Sequence, residues 1–170
     1  AESLITDFGC QVSIGDSCGS LTPSSTARAI SNSRIDAVAR ATGARVYNVD
    51  SQPRQIVNSG DGRILREVIL PSTLEDFDLI ISLPKLKTHH LTYITCAIKN
   101  LLGLVPGAAK KKAHLLAPRS TEFASLLCDL YALISPGAAL VTWTGAGMCA
   151  EDAAWEAELR GLRAARAAGS

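Results

Sequence analysis

The sequence predicts an α/β fold: one layered domain with a largely parallel sheet flanked by helices, incomplete at its N- and C-terminal ends. Three observations carry this expectation. Strand-like and helix-like patterns alternate along the chain. One apolar run, "DLIISLP", is continuous, as in a strand covered on both faces. The length of 170 residues, with 47% hydrophobic and 19% charged residues, suffices for one domain with a core. No apolar run approaches the roughly 20 residues of a membrane helix, and the N-terminus lacks the basic-then-apolar pattern of a secretion signal. Both features point to the cytoplasm. The chain begins at Ala1 and enters strand-like sequence almost at once, so earlier residues are expected to be missing.

The elements follow in order. "CQVSIGDS" reads as a short strand ending in a Gly-Asp-Ser turn. "TPSSTARAISNSRIDAVARATG" reads as one helix, with Ser24 or Ser25 as N-cap and Gly43 just past its end. "ARVYNVD" is a second strand, and "GRILREVILPSTL" a third that runs into a turn at Pro71, as a hairpin excursion. "DLIISLP" then forms the buried strand. "THHLTYITCAIKNLLG" and "STEFASLLCDLYALIS" are expected helices, with Thr88 capping the first, and "AALVTW" is a last strand. No internal repeat is visible.

The chemistry concentrates where "DLIISLP" ends. In open α/β sheets, ligands bind at the carboxyl ends of the strands. Lys85, Lys87 and His89 stand two apart there, so in an extended segment they share a side. A helix starting at Thr88 would add free N–H groups that attract an anion. On that helix Leu91, Ile94, Ile98, Leu101 and Leu102 would form an apolar arc, with Thr92, Thr95 and Lys99 on another side and Asn100 nearby.

A census sharpens the pattern. All six lysines (Lys85, Lys87, Lys99, Lys110, Lys111 and Lys112) fall within 28 residues, and no acid occurs from Leu79 to Thr121. Every other basic residue is arginine. Lysine supplies a compact point charge with an adjustable pKa, which arginine does not. Against this, a basic run is more often a solvated face, and Lys110, Lys111 and Lys112 in a Gly/Ala-rich stretch read better as a loop or flap than as a site. His114 fits an anion contact or proton donor, and Asp16 a metal or ribose hydroxyl. His89 and His90 on a helix would point apart, so no metal site is expected. The five cysteines at positions 10, 18, 96, 128 and 149 contain no C-x-x-C pair, and Cys96 and Cys128 read as small buried hydrophobes.

The run "DLIISLPKLKTHHLTYITCAIKNLLGLVPG", followed by "KKKAHLL", "FASLLCDL" and "AALV", resembles the domain of unknown function 362 family. The matching positions are Pro84, Lys85, Lys87, Thr88, His89, Lys99, Asn100, Gly103, Pro106, Gly107 and His114, with Gly15, Asp16 and Ser17 in the early "IGDS". The resemblance implies an α/β fold and, in full-length relatives, a ferredoxin-like module with a 4Fe-4S cluster. It covers roughly Val12 to Val141. Beyond that point only Gly147 and Met148 keep the family pattern. Residues 1–143 are therefore expected to form the family domain, and 144–170 a non-matching Ala/Arg/Glu-rich tail, helical or disordered, as a divergent or out-of-frame end would give.

The leading expectation is a domain that binds a small phosphate- or carboxylate-bearing ligand through Lys85, Lys87, Thr88, His89, Lys99, Asn100, His114 and Asp16. It has no cofactor in this chain and no membrane partner. The alternative is the partner half of an iron–sulfur electron-transfer protein, working with a redox partner or ferredoxin-like module outside this chain. Nucleic-acid binding is opposed by a net charge of +1 and by 5% aromatics. No motif names a reaction.

Overall fold

The first element is a helix rather than a strand: α1 spans Glu2–Thr6. The structure, a computed structural model, describes residues 1–19, 22–89 and 91–140. Strand β1 (Ser13–Asp16) follows, parallel to β2 (Arg45–Asn48), with Gly15 opposite Tyr47 and Asp16 opposite Asn48. The connection between them is helical, but in two pieces. Helix α2 (Pro23–Asn32) and helix α3 (Ile35–Thr42) part at Arg34, which adopts the left-handed region at φ 63°. Pro23 sets the start of α2, since a proline at the first position has no N–H to leave unpaired. Ser24 and Ser25 therefore lie inside its first turn, and Thr22 holds the cap position. Gly43 closes α3 at φ 77°, where the sequence placed the end. Ile30, Ala39 and Val49 are buried under this layer.

The hairpin excursion is present. Strand β3 (Arg54–Asn58), which the sequence patterns did not signal, pairs antiparallel with β4 (Glu67–Pro71). The apolar run "DLIISLP" contributes only β5 (Ile81–Ser82), parallel to β8 (Ala138–Ala139). The Gly137 and Leu140 N–H groups donate to Ile80 and Ser82 carbonyls and extend that ladder. Leu79 and Leu83 are exposed, so this strand is not covered on both faces as expected. The continuation of "AALVTW" and the 144–170 tail lie outside the described residues, as does His90.

Where a helix was expected from Thr88 onward, a hairpin forms instead: β6 (Lys87–His89) pairs antiparallel with β7 (Tyr93–Thr95). Helix starts only at α4 (Ala97–Asn100) and tightens into a 3₁₀ turn over Leu101–Leu104. Helix α5 (Gly107–Leu116) occupies the stretch read as a loop, and α6 (Ser120–Ile134) matches its expected helix. Phe123, Leu126, Leu127 and Leu130 of α6 are buried against Leu101, Leu102 and Val105, with Leu65, Val68 and Leu70 from the hairpin side. Each such side chain contributes about 1.5–3 kcal/mol by leaving water. The α/β class is thus the observed one. Among the described residues its strands form four two-stranded pairs, two parallel and two antiparallel, rather than one continuous sheet.

Candidate functional site

The carboxyl ends of β1 and β2 meet around one buried carboxylate. After β2 the Asp50 N–H donates to Asn48 Oδ1 at 3.1 Å, which fixes the 3₁₀ turn Val49–Ser51 and turns the Asp50 side chain inward. Asp50 is only 5% exposed. Its Oδ2 accepts from Ser17 Oγ at 2.7 Å and from Thr26 Oγ1 at 2.6 Å, and its Oδ1 accepts from the Gly107 N–H at 2.8 Å. The Thr26 hydroxyl has one proton, and the short contact to the carboxylate claims it. Cys18 Sγ lies 3.0 Å from the same oxygen, which in turn accepts the Cys18 N–H. Burial pushes the Asp50 carboxyl up, but the Thr26, Ser17 and Gly107 hydrogen bonds and the Lys110 charge outweigh it and hold the group below its usual range. Asp50 thereby ties the end of β1, helix α2 and the N-terminus of α5 together. The helix end, with its free N–H groups, suits a negative charge.

That tie positions Lys110, one turn into α5. Its Nζ donates to the Ser17 carbonyl. Burial lowers the Lys110 pKa; Asp16 and Asp50 oppose that shift, and Lys99 reinforces it. Lys99, on α4, is lowered first by burial and then by the neighbouring Lys87 charge. The Lys87 charge thus acts on Lys99 and the Lys99 charge on Lys110, a series that runs from β6 through α4 to α5. Among the described residues neither Lys87 nor Lys99 has an ion pair. Thr95, directly opposite Lys87, is 8% exposed, and its Oγ1 has no hydrogen-bond partner among the described residues. A buried hydroxyl without a partner costs about 1–3 kcal/mol.

Asp16 ends β1 beside Lys110, with its Oδ1 accepting the Ser17 N–H at 2.7 Å. The 3₁₀ turn after α4 passes so near that a Cβ on Gly103 would lie 2.6 Å from Asp16 Oδ1. The glycine of the K-N-x-x-G pattern is thus where the Asp16 carboxylate needs room.

The expected site residues divide accordingly. Asp16 lies beside Gly103, and the Lys87 charge acts on Lys99. Thr88 does not cap a helix; it lies in β6, where alternation points it away from the face shared by Lys87 and His89. His89 closes the hairpin, its Nδ1 accepting from the Leu91 and Thr92 N–H groups at 3.2 and 3.3 Å. Lys85 is exposed in the loop between β5 and β6. Asn100 donates from Nδ2 to Ser82 Oγ at 3.1 Å, which pins α4 to the end of β5. The His114 ring stacks on Phe123 at 4.6 Å, at the α5–α6 contact. Sequence reasoning missed Ser17, Thr26, Asp50 and the inclusion of Lys110. The one local signal was Pro106-Gly107 before a run of helix-forming Ala and Lys.

Cys128 is exposed and Cys96 half-buried, so neither is the small buried hydrophobe expected. The four described cysteines are free, and among the described residues no three His, Cys, Asp or Glu side chains are grouped to hold a metal ion. Those residues do not fit an iron–sulfur cluster. Among them, too, no helix is long and apolar enough to cross a membrane.

Fold and site together define an α/β domain with a cationic cluster at the carboxyl ends of its parallel strands. The chain belongs to the domain of unknown function (DUF362) family, whose model matches residues 2–158. It is also similar to the thylakoid-associated protein sll1697 of Synechocystis sp., with 39% identity over 62 residues. That match covers 36% of this chain and 19% of the relative, so the chain spans a minor part of that protein. No solved structure matches it.

Proposed function

We propose that this domain binds a small anionic ligand, phosphate- or carboxylate-bearing, on Lys87, Lys99 and Lys110. Lys85, Thr88, His89 and Asn100 border the site, and His114 lies one helical turn beyond Lys110. The observation that carries this reading is the Lys87–Lys99–Lys110 series. Like charges brought together and partly desolvated are unfavourable alone, and an anion between them removes the repulsion and restores the lysines' protonation. The partnerless Thr95 hydroxyl offers a further donor. Inorganic phosphate and pyrophosphate are the first probes. At a concentration about 100-fold above Kd, binding stabilises the fold by about 2.7 kcal/mol, a readily measured rise in Tm. Lys99→Ala and Lys87→Ala are expected to remove most of that rise while leaving the ligand-free Tm nearly unchanged. A full rise in the Lys99→Ala protein would place any anion elsewhere.

The electron-transfer alternative is a proposal about a longer protein, in which this domain would serve as the partner half of a 4Fe-4S module. Anaerobic reconstitution of the intact gene product and its absorption spectrum test it. We place the domain in the cytoplasm, and recovery of the native protein with sedimented membranes would refute that location.

A further inference from the structure

Helix α5 engages different partners on two sides. Lys110 bonds the Ser17 carbonyl at the strand ends, while Lys112, about 200° further round the helix, pairs with Glu67 of β4 at 3.4 Å. On this second side α5 does not close against the β3–β4 hairpin. A cavity of about 170 Å³ lies between them, its floor formed by the buried Leu65, Val68, Leu102, Val105, Leu126 and Leu130. Glu67 and Lys112 stand at its mouth, and both are exposed, as are Ile56 and Leu116 beside them. Protein interiors pack closely and hold few cavities larger than a water molecule. An apolar cavity of about 150 Å³ takes a guest the size of benzene.

Apart from the Glu67–Lys112 pair, every side chain lining the cavity is apolar, so the body of a guest must be apolar too. The mouth sets its charge. A carboxylate on the guest would meet Glu67 and an ammonium would meet Lys112, whereas an uncharged guest leaves the pair intact. We propose that this cavity binds a small uncharged apolar molecule, about the size of an aromatic ring, beneath the Glu67–Lys112 pair. The site is independent of the anion proposed for Lys87, Lys99 and Lys110.

Methyl-resolved NMR titration of the full chain with toluene, benzoate and benzylammonium tests this assignment. Toluene is expected to give saturable shifts at the Val68, Leu102, Leu126 and Leu130 methyls, and to bind at least about tenfold more tightly than either ion. Ala113→Leu puts a larger side chain into the cavity and should abolish the toluene shifts while holding or raising Tm. Ala109→Leu, at a half-buried position of the same wall, repeats the test with less demand on the core. Loss of the shifts in either folded variant supports the site. The absence of saturable methyl shifts in the wild type, or shifts that persist in both folded variants, would overturn it. Equal binding of toluene and the two ions would overturn the uncharged class.

Discussion

Gly15 and Gly103 both sit at close approaches, and the atom each would strike decides what a side chain there would do. A Cβ at Gly15 would fall 2.1 Å from the Tyr47 carbonyl oxygen, inside the β1–β2 ladder, so the strands themselves would have to part. A Cβ at Gly103 meets only the end of the Asp16 side chain, which can swing away. Gly15→Ala is therefore expected to destabilise the fold by about 1–3 kcal/mol, read as a lower urea midpoint. Gly103→Ala should leave that midpoint nearly unmoved. The grouping of the lysines was legible because their clustering and the absence of acids are properties of the string itself. Asp50 was not, since its partners Thr26, Ser17 and Gly107 lie 24, 33 and 57 residues away. A strand-end aspartate looks the same in sequence whether it faces water or three donors.

At the scale of elements, apolar spacing misled where residue type would have helped. Leu91, Ile94 and Ile98 recur at helical intervals, yet "THHLTYIT" is rich in β-branched and aromatic residues, which lose rotamer freedom in a helix and suit a strand. The chain takes the hairpin, with Tyr93 at φ 62°. Helix α5 shows the converse, since Ala and Lys are strong helix formers that flexible-looking composition concealed. Helix α6 was legible in full, its buried Phe123, Leu126, Leu127 and Leu130 keeping helical spacing. It also carries a clamp with no sequence signature. Asp129 accepts the N–H groups of Arg63, Ile64 and Leu65 at 3.1, 2.8 and 2.9 Å, fixing the loop between β3 and β4. Asp129→Ala leaves those donors to water or unpaired, and a loss of about 1–3 kcal/mol is expected. Faster hydrogen exchange at the Ile64 and Leu65 amides would locate the loss, and unchanged exchange there would contradict the clamp.

Across the whole molecule, one buried and one half-buried carboxylate join distant segments, and both make the fold acid-sensitive. Asp50 unites the β1–β2 layer with α5, and Asp129 unites α6 with the β3–β4 hairpin. For each, burial alone would raise the pKa. At Asp129 the Leu65, Ile64 and Arg63 N–H groups and the Arg63 charge outweigh it, as Thr26, Ser17, Gly107 and Lys110 do at Asp50. Both folded values lie below the unfolded carboxylate value of about 3.9. The unfolded chain therefore binds protons first as pH falls. The stability these groups contribute is present above the unfolded value and is lost as pH drops through the folded values. Each can add at most about 1.4 kcal/mol per pH unit to the slope, and solvent screening makes the share of the half-exposed Asp129 the smaller one. Denaturant titrations between pH 6 and the acid transition, which set the range with the usual two-state fit, should show stability declining below the unfolded carboxylate range. Asp129→Asn should flatten that decline while leaving the phosphate response proposed for Lys99 intact, because Asp129 bonds the Arg63–Leu65 loop and none of the segments that carry Lys87, Lys99 and Lys110. An unchanged acid slope in Asp129→Asn would mean that the clamp contributes nothing to the linkage.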